Sequence, residues 1–430
     1  MPGACASIPL FPVTKMRPSL LMRPAWQERV PLYLAGAAAA TTVVSIAYSQ
    51  ILLGAAIVAL LIAQQWRWPP VVWPVIAWIG WTLVSLAASG DAFHGMPQVK
   101  KFYVWLMLFV VYLGVRTLAQ IRGVTLAWVV GATLSALWGF GQFVHMYRST
   151  PRFFYYAYVN GTRITGFVDH WMTFSALLMM TLLFAGAMLL YSTGRRPGWL
   201  IPWVTPALAI IGSAILLAFT RSMWLGTIAG ALWLLWWRNK WLLAAVPLLI
   251  GIVLLVNPLN LRLRVFSAFS PQENLLDSRA HRAALRRVGW EMIRAHPIVG
   301  VGPEQVGPQF MQYYPADLPH PVPIGWYKEH LHNIYIHFAA ERGLPALGIL
   351  LWFLGRALFD FWTTLRRLPA QSEARWVLHG AIAVIIAVMI SGWTELTLGH
   401  SQVLEMFLAV VACGYIAVDV SRSHLEKTNR

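Results

Sequence analysis

Long apolar runs separated by short polar connections extend along almost the whole chain. A helix that crosses the roughly 30 Å hydrocarbon core of a bilayer needs about 20 apolar residues, so each run predicts one membrane span. The pattern predicts about twelve spans in total. They lie near residues 30–47, 50–65, 70–88, 102–116, 124–145, 167–191, 200–219, 222–237, 241–256, 334–355, 376–393 and 402–419.

One long polar interval, residues 257–333, interrupts this pattern and is rich in Arg and His. Inside it, Ser278 to Ala295 places apolar residues three and four positions apart, which predicts an amphipathic helix. Pro297 ends that helix, and residues 309–325 are rich in proline and aromatic residues, which predicts irregular structure. A second helix is expected to begin near Lys328 and to continue into the tenth span.

These patterns predict the fold class of an all-α integral membrane protein with about 12 transmembrane helices and one large, partly helical loop. The predicted organisation is a basic cytoplasmic tail, nine spans, the large loop, three further spans and a second cytoplasmic tail. The corresponding boundaries are 1–29, 30–256, 257–333, 334–419 and 420–430.

The composition supports a polytopic membrane protein and argues against a soluble domain. Hydrophobic residues make up 58% of the chain and charged residues 11%, whereas soluble domains carry roughly 25% charged residues. The net charge of +17 fits basic cytoplasmic loops and contacts with anionic membrane lipids. Nucleic-acid binding is not expected, because no compact basic domain is visible. The two cysteines, Cys5 and Cys413, lie far apart and predict neither a disulfide nor a metal site.

The distribution of basic residues predicts the orientation of the spans. Short loops that carry Arg67, Arg122 and Arg366 would all face the cytoplasm if the N-terminus does. Both termini are therefore expected inside and the large loop outside. Arginines on the outer side are not explained by topology, which makes them functional candidates; anchoring to lipid headgroups is the alternative.

Arg221 is the strongest candidate among the outer arginines, because it joins two spans at the outer face. A buried guanidinium without a partner costs several kcal/mol in a membrane. Carboxylates are scarce nearby in the sequence, which favours a phosphate ligand; snorkelling to headgroups is the alternative. Four of the further candidates for binding an anionic substrate lie in or near the loop, and one lies before the sixth span. They are Arg264 near the start of the loop, Arg279, Arg282 and Arg286 on the predicted helix, and Arg163.

His332 lies where the polar loop becomes a membrane helix, next to Asn333. A histidine has an unperturbed pKa near 6.5 and can act as a base at neutral pH. His330, His337 and Asn333 are further candidates for substrate binding, but helical spacing would point the three histidines in different directions. No metal site is therefore expected. The alternative for His332 is an interfacial histidine bonded to a carbonyl group.

Arginines combined with a histidine suit transfer from a pyrophosphate-linked lipid donor. Fixed arginines stabilise the charge that develops on a diphosphate leaving group, and a histidine accepts the proton of the acceptor hydroxyl. This chemistry requires the helix of Arg282 and the loop exit at His332 to close over Arg221. The sequence therefore predicts one site built from distant segments.

Three motifs resemble the O-antigen ligase and polymerase superfamily of bacterial membrane proteins. They are Phe219-Thr220-Arg221-Ser222, His296-Pro297-Ile298-Val299-Gly300-Val301-Gly302, and His332-Asn333-Ile334-Tyr335 followed by Ala340-Glu341-Arg342-Gly343, with Thr165-Gly166-Phe167 before them.

The resemblance implies an O-antigen ligase of the bacterial inner membrane that acts on its periplasmic face in lipopolysaccharide biosynthesis. It implies an undecaprenyl-pyrophosphate-linked glycan as donor, a lipid A core oligosaccharide as acceptor, and neither a metal nor another cofactor. It assigns His332 as the base and gives Arg221 and Arg282 to the pyrophosphate. Arg286 stands where the family commonly has a tryptophan, which leaves the choice between Arg279 and Arg282 open.

Other readings of the sequence remain as alternatives. An O-antigen polymerase or a protein O-oligosaccharyltransferase uses the same donor with a different acceptor. A multi-span lipid or solute transporter predicts charges near the bilayer midplane and repeated halves. The predicted spans hold few such charges and the halves do not resemble each other, which favours an interfacial enzyme.

Overall fold

A computed structural model of the chain describes residues 25–64, 66–149, 158, 161, 163–193, 198, 200–257, 261–266, 278–323 and 329–428. Within these ranges the fold is all-helical and contains no β-strand. This confirms the predicted all-α class.

Before the large polar interval, the described helices follow one another with short connections. In chain order they are α1 (Ala25–Thr41), α2 (Ile46–Ala63), α3 (Val72–Ala88), α4 (Ala92–Lys100), α5 (Phe102–Gly114), α6 (Leu118–Ser149), α7 (Trp171–Tyr191), α8 (Leu200–Leu217), α9 (Arg221–Arg238) and α10 (Ala245–Val256).

The polar interval contributes two described helices and the last part of the chain three. They are α11 (Leu261–Phe266), α12 (Ser278–Ala295), α13 (Ile334–Arg367), α14 (Ala374–Ser391) and α15 (Ser401–Thr428). Short 3₁₀ turns occur at Lys240–Ala244, Phe310–Tyr313 and Thr397–Gly399.

Each of the twelve apolar runs contains a helix, but the helices differ in length and apolarity. Six of them, α2, α6, α7, α13, α14 and α15, are long and apolar enough to cross a membrane by these two criteria. Shorter apolar helices include α3 and most of α8 and α10. The structure thus supports a multi-pass membrane protein, while the number of spans stays a prediction.

Helices α7, α14 and α15 form the centre of the main core, with Phe184, Trp376 and Phe407 almost fully buried. Peripheral helices instead expose large apolar side chains such as Tyr48 and Ile51 on α2. An outward apolar face on the outer helices is what a lipid-facing surface requires.

A second, smaller core lies beneath α12, which confirms the predicted amphipathic helix at Ser278–Ala295. Of the apolar positions that predicted the helix, Ala284, Val288 and Met292 are buried, whereas Ala280, Ala283 and Ala295 are exposed. Leu285 and Ile293 complete the buried stripe. Large side chains bury more apolar area than alanines, and this decides which face of the helix turns inward.

Helix α13 is interrupted at Gly343, whose φ of 80° and ψ of 170° are not helical. The interruption exposes backbone groups to which the segment after α12 binds, a contact called here the backbone clasp. It consists of three hydrogen bonds: Val301 N to Ala340 O at 2.9 Å, Gly302 N to Glu341 O at 2.9 Å and Leu344 N to Pro297 O at 2.8 Å. The clasp holds the polar segment on the membrane helices.

Residues assigned by their charge to the cytoplasmic side meet one another at one end of the bundle. Arg122 pairs with Glu373, and Arg67 lies 3.8 Å from Asp419. This agrees with the predicted relative sidedness of these loops. Which end faces the periplasm stays a prediction.

Candidate functional site

Glu395 lies at the centre of a buried charged cluster at the other end of the bundle. It follows α14 and is 1% exposed. Its Oε1 accepts a hydrogen bond from Arg282 of α12, and its Oε2 lies 2.9 Å from Nδ1 of His332. A single carboxylate thus joins the large polar segment to the helix bundle.

Backbone hydrogen bonds fix His332 relative to Glu395. Asn333 caps α13, because its Oδ1 accepts hydrogen bonds from the backbone N–H groups of Tyr335 and Ile336, at 2.9 Å each. Its Nδ2 donates to Trp393 O at 2.8 Å, and Ile334 N donates to Gly392 O at 2.8 Å. The segments that carry the histidine and the carboxylate are therefore bonded to each other directly. Asn333, predicted to bind substrate, has its amide committed to positioning this junction.

The expectation of a helix starting near Lys328 and separating His330 from His332 is wrong. Helix α13 begins at Ile334, because Asn333 caps it there, and His332 has a φ of 46°. In this non-helical segment the rings of His330 and His332 contact each other, with centroids 4.3 Å apart. His281 of α12 lies 6.0 Å from His332 on a second side.

Arg163 and Arg221 lie near this cluster. Arg163 donates to Phe219 O at 3.3 Å, two residues before Arg221 begins α9, and its guanidinium lies 5.1 Å from the ring centroid of Trp171. Burial lowers the pKa of Arg163 to about 10, the charges of Arg282 and Arg221 add to this lowering, and Glu395 opposes it. Arg221 and Arg282, which come from separate segments, thus both act electrostatically on Arg163.

The other predicted site residues are placed differently. His337 is buried in the first turn of α13, and its Nε2 lies 3.7 Å from Glu341. Arg286 is exposed on α12, outside the cluster. The side chains of Arg264 and Arg279 lie outside the part of the chain that the structure describes.

Glu395 is the functional candidate that sequence reasoning missed. It follows an apolar run, and a carboxylate at such a position is normally interpreted as marking the end of a membrane span. The scarcity of carboxylates noted around Arg221 concerns distances along the sequence, and Arg282 shows that a carboxylate can come from 113 positions away. An acidic residue directly after a membrane span is the signal in the sequence that could have identified Glu395 as a functional candidate.

The electrostatics of the cluster favour an ionised carboxylate. Burial alone would raise the pKa of Glu395, but the charge of Arg282 and the hydrogen bond with His332 outweigh it and lower this pKa below its ordinary value. Among the described residues, no group of three or more His, Cys, Asp or Glu side chains is placed to hold a metal ion.

A scan against protein families matches residues 206–353 to the family described as O-antigen ligase. This region of the chain is similar to the O-antigen ligase family. The resemblance carried by the three motifs is thereby confirmed. A comparison with curated proteins finds no match.

The matched region, residues 206–353, contains three of the clustered side chains, Arg221, Arg282 and His332. Arg163 and Glu395 come from outside it, on the N-terminal and C-terminal sides. The family supports glycan-transferring ligase activity in a membrane protein in general terms. The cluster shows which side chains of this chain meet at one place.

Acid is expected to destabilise the protein through two histidines that the fold keeps neutral. Burial and the neighbouring His332 lower the pKa of His330 to about 3, and burial and His170 lower that of His400 to about 4. The unfolded chain protonates near pH 6.5, so stability is complete above that pH and is lost as the pH falls from about 6.5 towards 4.

We expect His400→Asn to reduce this acid sensitivity by about 1–2 kcal/mol between pH 7.5 and pH 5, after allowance for the partial exposure of the side chain. The measurement is the thermal unfolding midpoint in detergent at pH 7.5 and pH 5, with exposed His94→Asn as the matched control. Equal losses in the wild type and His400→Asn would contradict this assignment.

Proposed function

We propose that the chain transfers a glycan from undecaprenyl pyrophosphate to a hydroxyl group of the lipid A core oligosaccharide, on the periplasmic face of the bacterial inner membrane. The observation that supports this most is the contact of His332 and Arg282 with one carboxylate, close to Arg163 and Arg221. The family match supports the general class.

In the proposed reaction, the oxygen of the acceptor hydroxyl attacks the anomeric carbon of the donor sugar. The bond from that carbon to the diphosphate oxygen breaks, and its electron pair leaves with the diphosphate. The hydroxyl proton passes to His332. Since Nδ1 of His332 faces Glu395, the nitrogen left for this proton is Nε2.

Arg163, Arg221 and Arg282 supply positive charge where the diphosphate gains negative charge. Arginine stays protonated at neutral pH and can bind phosphate oxygens through two parallel N–H groups. Stabilisation of this kind is strong in a site that excludes bulk water, because the donors are held in place before the reaction. Glu395 offsets part of the repulsion among the three cations while the donor is absent.

The test is reconstitution of the purified protein in liposomes with the lipid-linked glycan and lipid A core, without added metal. We expect His332→Ala and Arg221→Ala to lower transfer by about 10²–10⁴-fold, the range typical for a base and for a charge-stabilising donor. Exposed His94→Ala and Arg294→Ala serve as matched controls.

Unchanged transfer by both site variants would overturn the proposed mechanism. A product in which glycan is joined to glycan would identify a polymerase, and glycan joined to protein would identify an O-oligosaccharyltransferase. Both outcomes would contradict the proposed acceptor while keeping the donor.

A further inference from the structure

A cavity of about 230 Å³ lies beside the cluster, between helices α3, α5, α13 and α15. His330 and His400 line it, and the ring of His330 contacts that of His332, the proposed base. The cavity therefore adjoins the reacting groups without containing the three arginines.

A hydrogen-bonded network of charged and amide groups forms one wall of the cavity. Gln98 Nε2 donates to Glu304 Oε1 at 2.5 Å, and Gln98 Oε1 accepts from Arg342 Nη2 at 2.8 Å. Lys101 lies 3.5 Å from Glu304, and Glu329 also lines the space. This wall therefore presents both donors and acceptors.

Several buried nitrogen atoms around the cavity lack a hydrogen-bond partner among the residues that the structure describes. They are Nε of Arg342, Nδ1 of His337 and Nε2 of His400. Arg342 is 2% exposed and His337 is 6% exposed. A buried polar atom without a partner is costly, so these atoms favour a ligand with several hydrogen-bonding groups.

Aromatic side chains form much of the remaining lining, and two of them, Trp78 and Phe338, lie 5.2 Å from the guanidinium of Arg342. The rings of Trp78, Trp105, Phe338, Phe353 and Phe407 line the cavity. A ligand that fits must present an apolar face to these rings and polar groups to the hydrogen-bonded wall. A sugar ring does so, because its C–H groups lie on its faces and its hydroxyl groups project from its edge.

Size and charge narrow the ligand further. The cavity is smaller than the about 300–1,000 Å³ of pockets for drug-sized molecules, so it has room for one sugar ring. Glu304 and Glu329 balance the charges of Lys101 and Arg342 in the lining, so the cavity offers a phosphate group no excess positive charge, whereas the neighbouring cluster contains three arginines and one carboxylate. The cavity therefore suits a sugar ring, whereas the cluster suits the diphosphate of the donor.

We propose that this cavity binds one pyranose ring of the acceptor oligosaccharide and so contributes to acceptor specificity. The inference rests on the proposed function, because it assumes an acceptor hydroxyl next to His332. The polar wall, and Gln98 and Glu304 in particular, contacts hydroxyl groups of that ring, while the aromatic side chains contact its face.

The test compares Gln98→Ala and Glu304→Gln with the wild type in liposomes, varying donor and acceptor separately. We expect the KM for lipid A core to rise about 3- to 10-fold for each variant, the loss typical of one hydrogen bond to a ligand. The KM for the undecaprenyl-pyrophosphate glycan and the value of kcat should change less than twofold. Exposed Gln312→Ala and half-buried Glu291→Gln, both outside the cavity, are matched controls.

Direct binding gives a second measurement that does not depend on turnover. Lipid A core, titrated into each variant without donor, should bind more weakly by the same factor, while sugar-free undecaprenyl pyrophosphate should bind as in the wild type. Glu304→Gln preserves the shape of the side chain, so it remains informative if Gln98→Ala unfolds.

Three results would overturn the inference while leaving the proposed function intact. A rise in the KM for the donor alone would place a donor sugar in the cavity. Unchanged KM values for both substrates would show that the wall is structural. A fall in kcat alone would place the network in the chemical step. Failure of the proposed function is distinguishable, because the wild type would then form no lipid A core product.

Discussion

Replacing Glu395 with Gln is expected to lower kcat for glycan transfer by about 10²–10⁴-fold, as large as the loss expected for His332 itself. The carboxylate makes two contacts that glutamine cannot reproduce together, one with His332 and one with Arg282. An amide that donates to Nδ1 of His332 would favour the tautomer whose Nε2 carries a proton, and such a nitrogen cannot act as a base.

The same substitution removes the negative charge that lies among Arg163, Arg221 and Arg282. The diphosphate of the donor brings its own negative charge, so donor binding should persist and the loss should appear in kcat. A lower kcat with an unchanged KM for the donor indicates a positioning role, whereas general damage to the site would change both. The KM for the donor is therefore measured together with kcat.

Glu405→Gln is the matched control, because Glu405, in the second turn of α15, is also a buried carboxylate and bonds to Gln50 instead. It should retain transfer within about threefold, as expected for a substitution outside the reacting groups. The double variant His332→Ala with Glu395→Gln should be no worse than His332→Ala alone, because residues that act as a unit are not additive. Additive losses, or near-normal kcat in Glu395→Gln, would refute the positioning role.

The sequence supports the fold class because a bilayer leaves few alternatives. Backbone polar groups in hydrocarbon must bond within their own segment, so about 20 apolar residues predict a helix wherever they occur. The helix at Ser278–Ala295 is predicted for a related reason, since its periodicity is visible within eighteen residues. Both predictions depend on local pattern alone.

Contacts between distant segments could not be predicted in this way. The pairing of Arg282 with Glu395 depends on how α12 docks on the bundle, and nothing near either residue in the sequence records the other. The start of α13 was also misplaced, because apolar continuity suggested a longer helix than the Asn333 cap permits. The predicted meeting of Arg221, Arg282 and His332 came from chemistry, which requires the charges to converge.

The glycine motifs have a structural explanation that the sequence did not reveal. Gly300 and Gly343 lie on the two sides of the backbone clasp, each with a positive φ. A Cβ atom at Gly300 would lie 2.4 Å from the backbone nitrogen of Arg342, and one at Gly343 would lie 1.8 Å from the carbonyl oxygen of Ile298. The two motifs therefore bind each other, and this contact positions α12, which carries Arg282, on α13, which follows His332.

Gly343→Ala is accordingly expected to be the most destabilising single substitution considered for this chain, by about 3 kcal/mol or more. The new methyl group would overlap a backbone oxygen that cannot rotate away, and alanine disfavours a φ of 80°. The clasp would open, and α12 with Arg282 would lose its support on α13. The measurement is the yield of monodisperse protein in detergent and its thermal unfolding midpoint.

Gly348→Ala provides a control within the same helix, because a Cβ atom at Gly348 meets nothing within 4 Å. It should keep or raise stability by up to about 1 kcal/mol, since alanine favours a helix more than glycine does. The difference between the two variants isolates the clasp from a general effect of alanine in α13. Equal stability of Gly343→Ala and Gly348→Ala would show that the segment after α12 does not depend on backbone contact, and that Arg282 reaches Glu395 by another route.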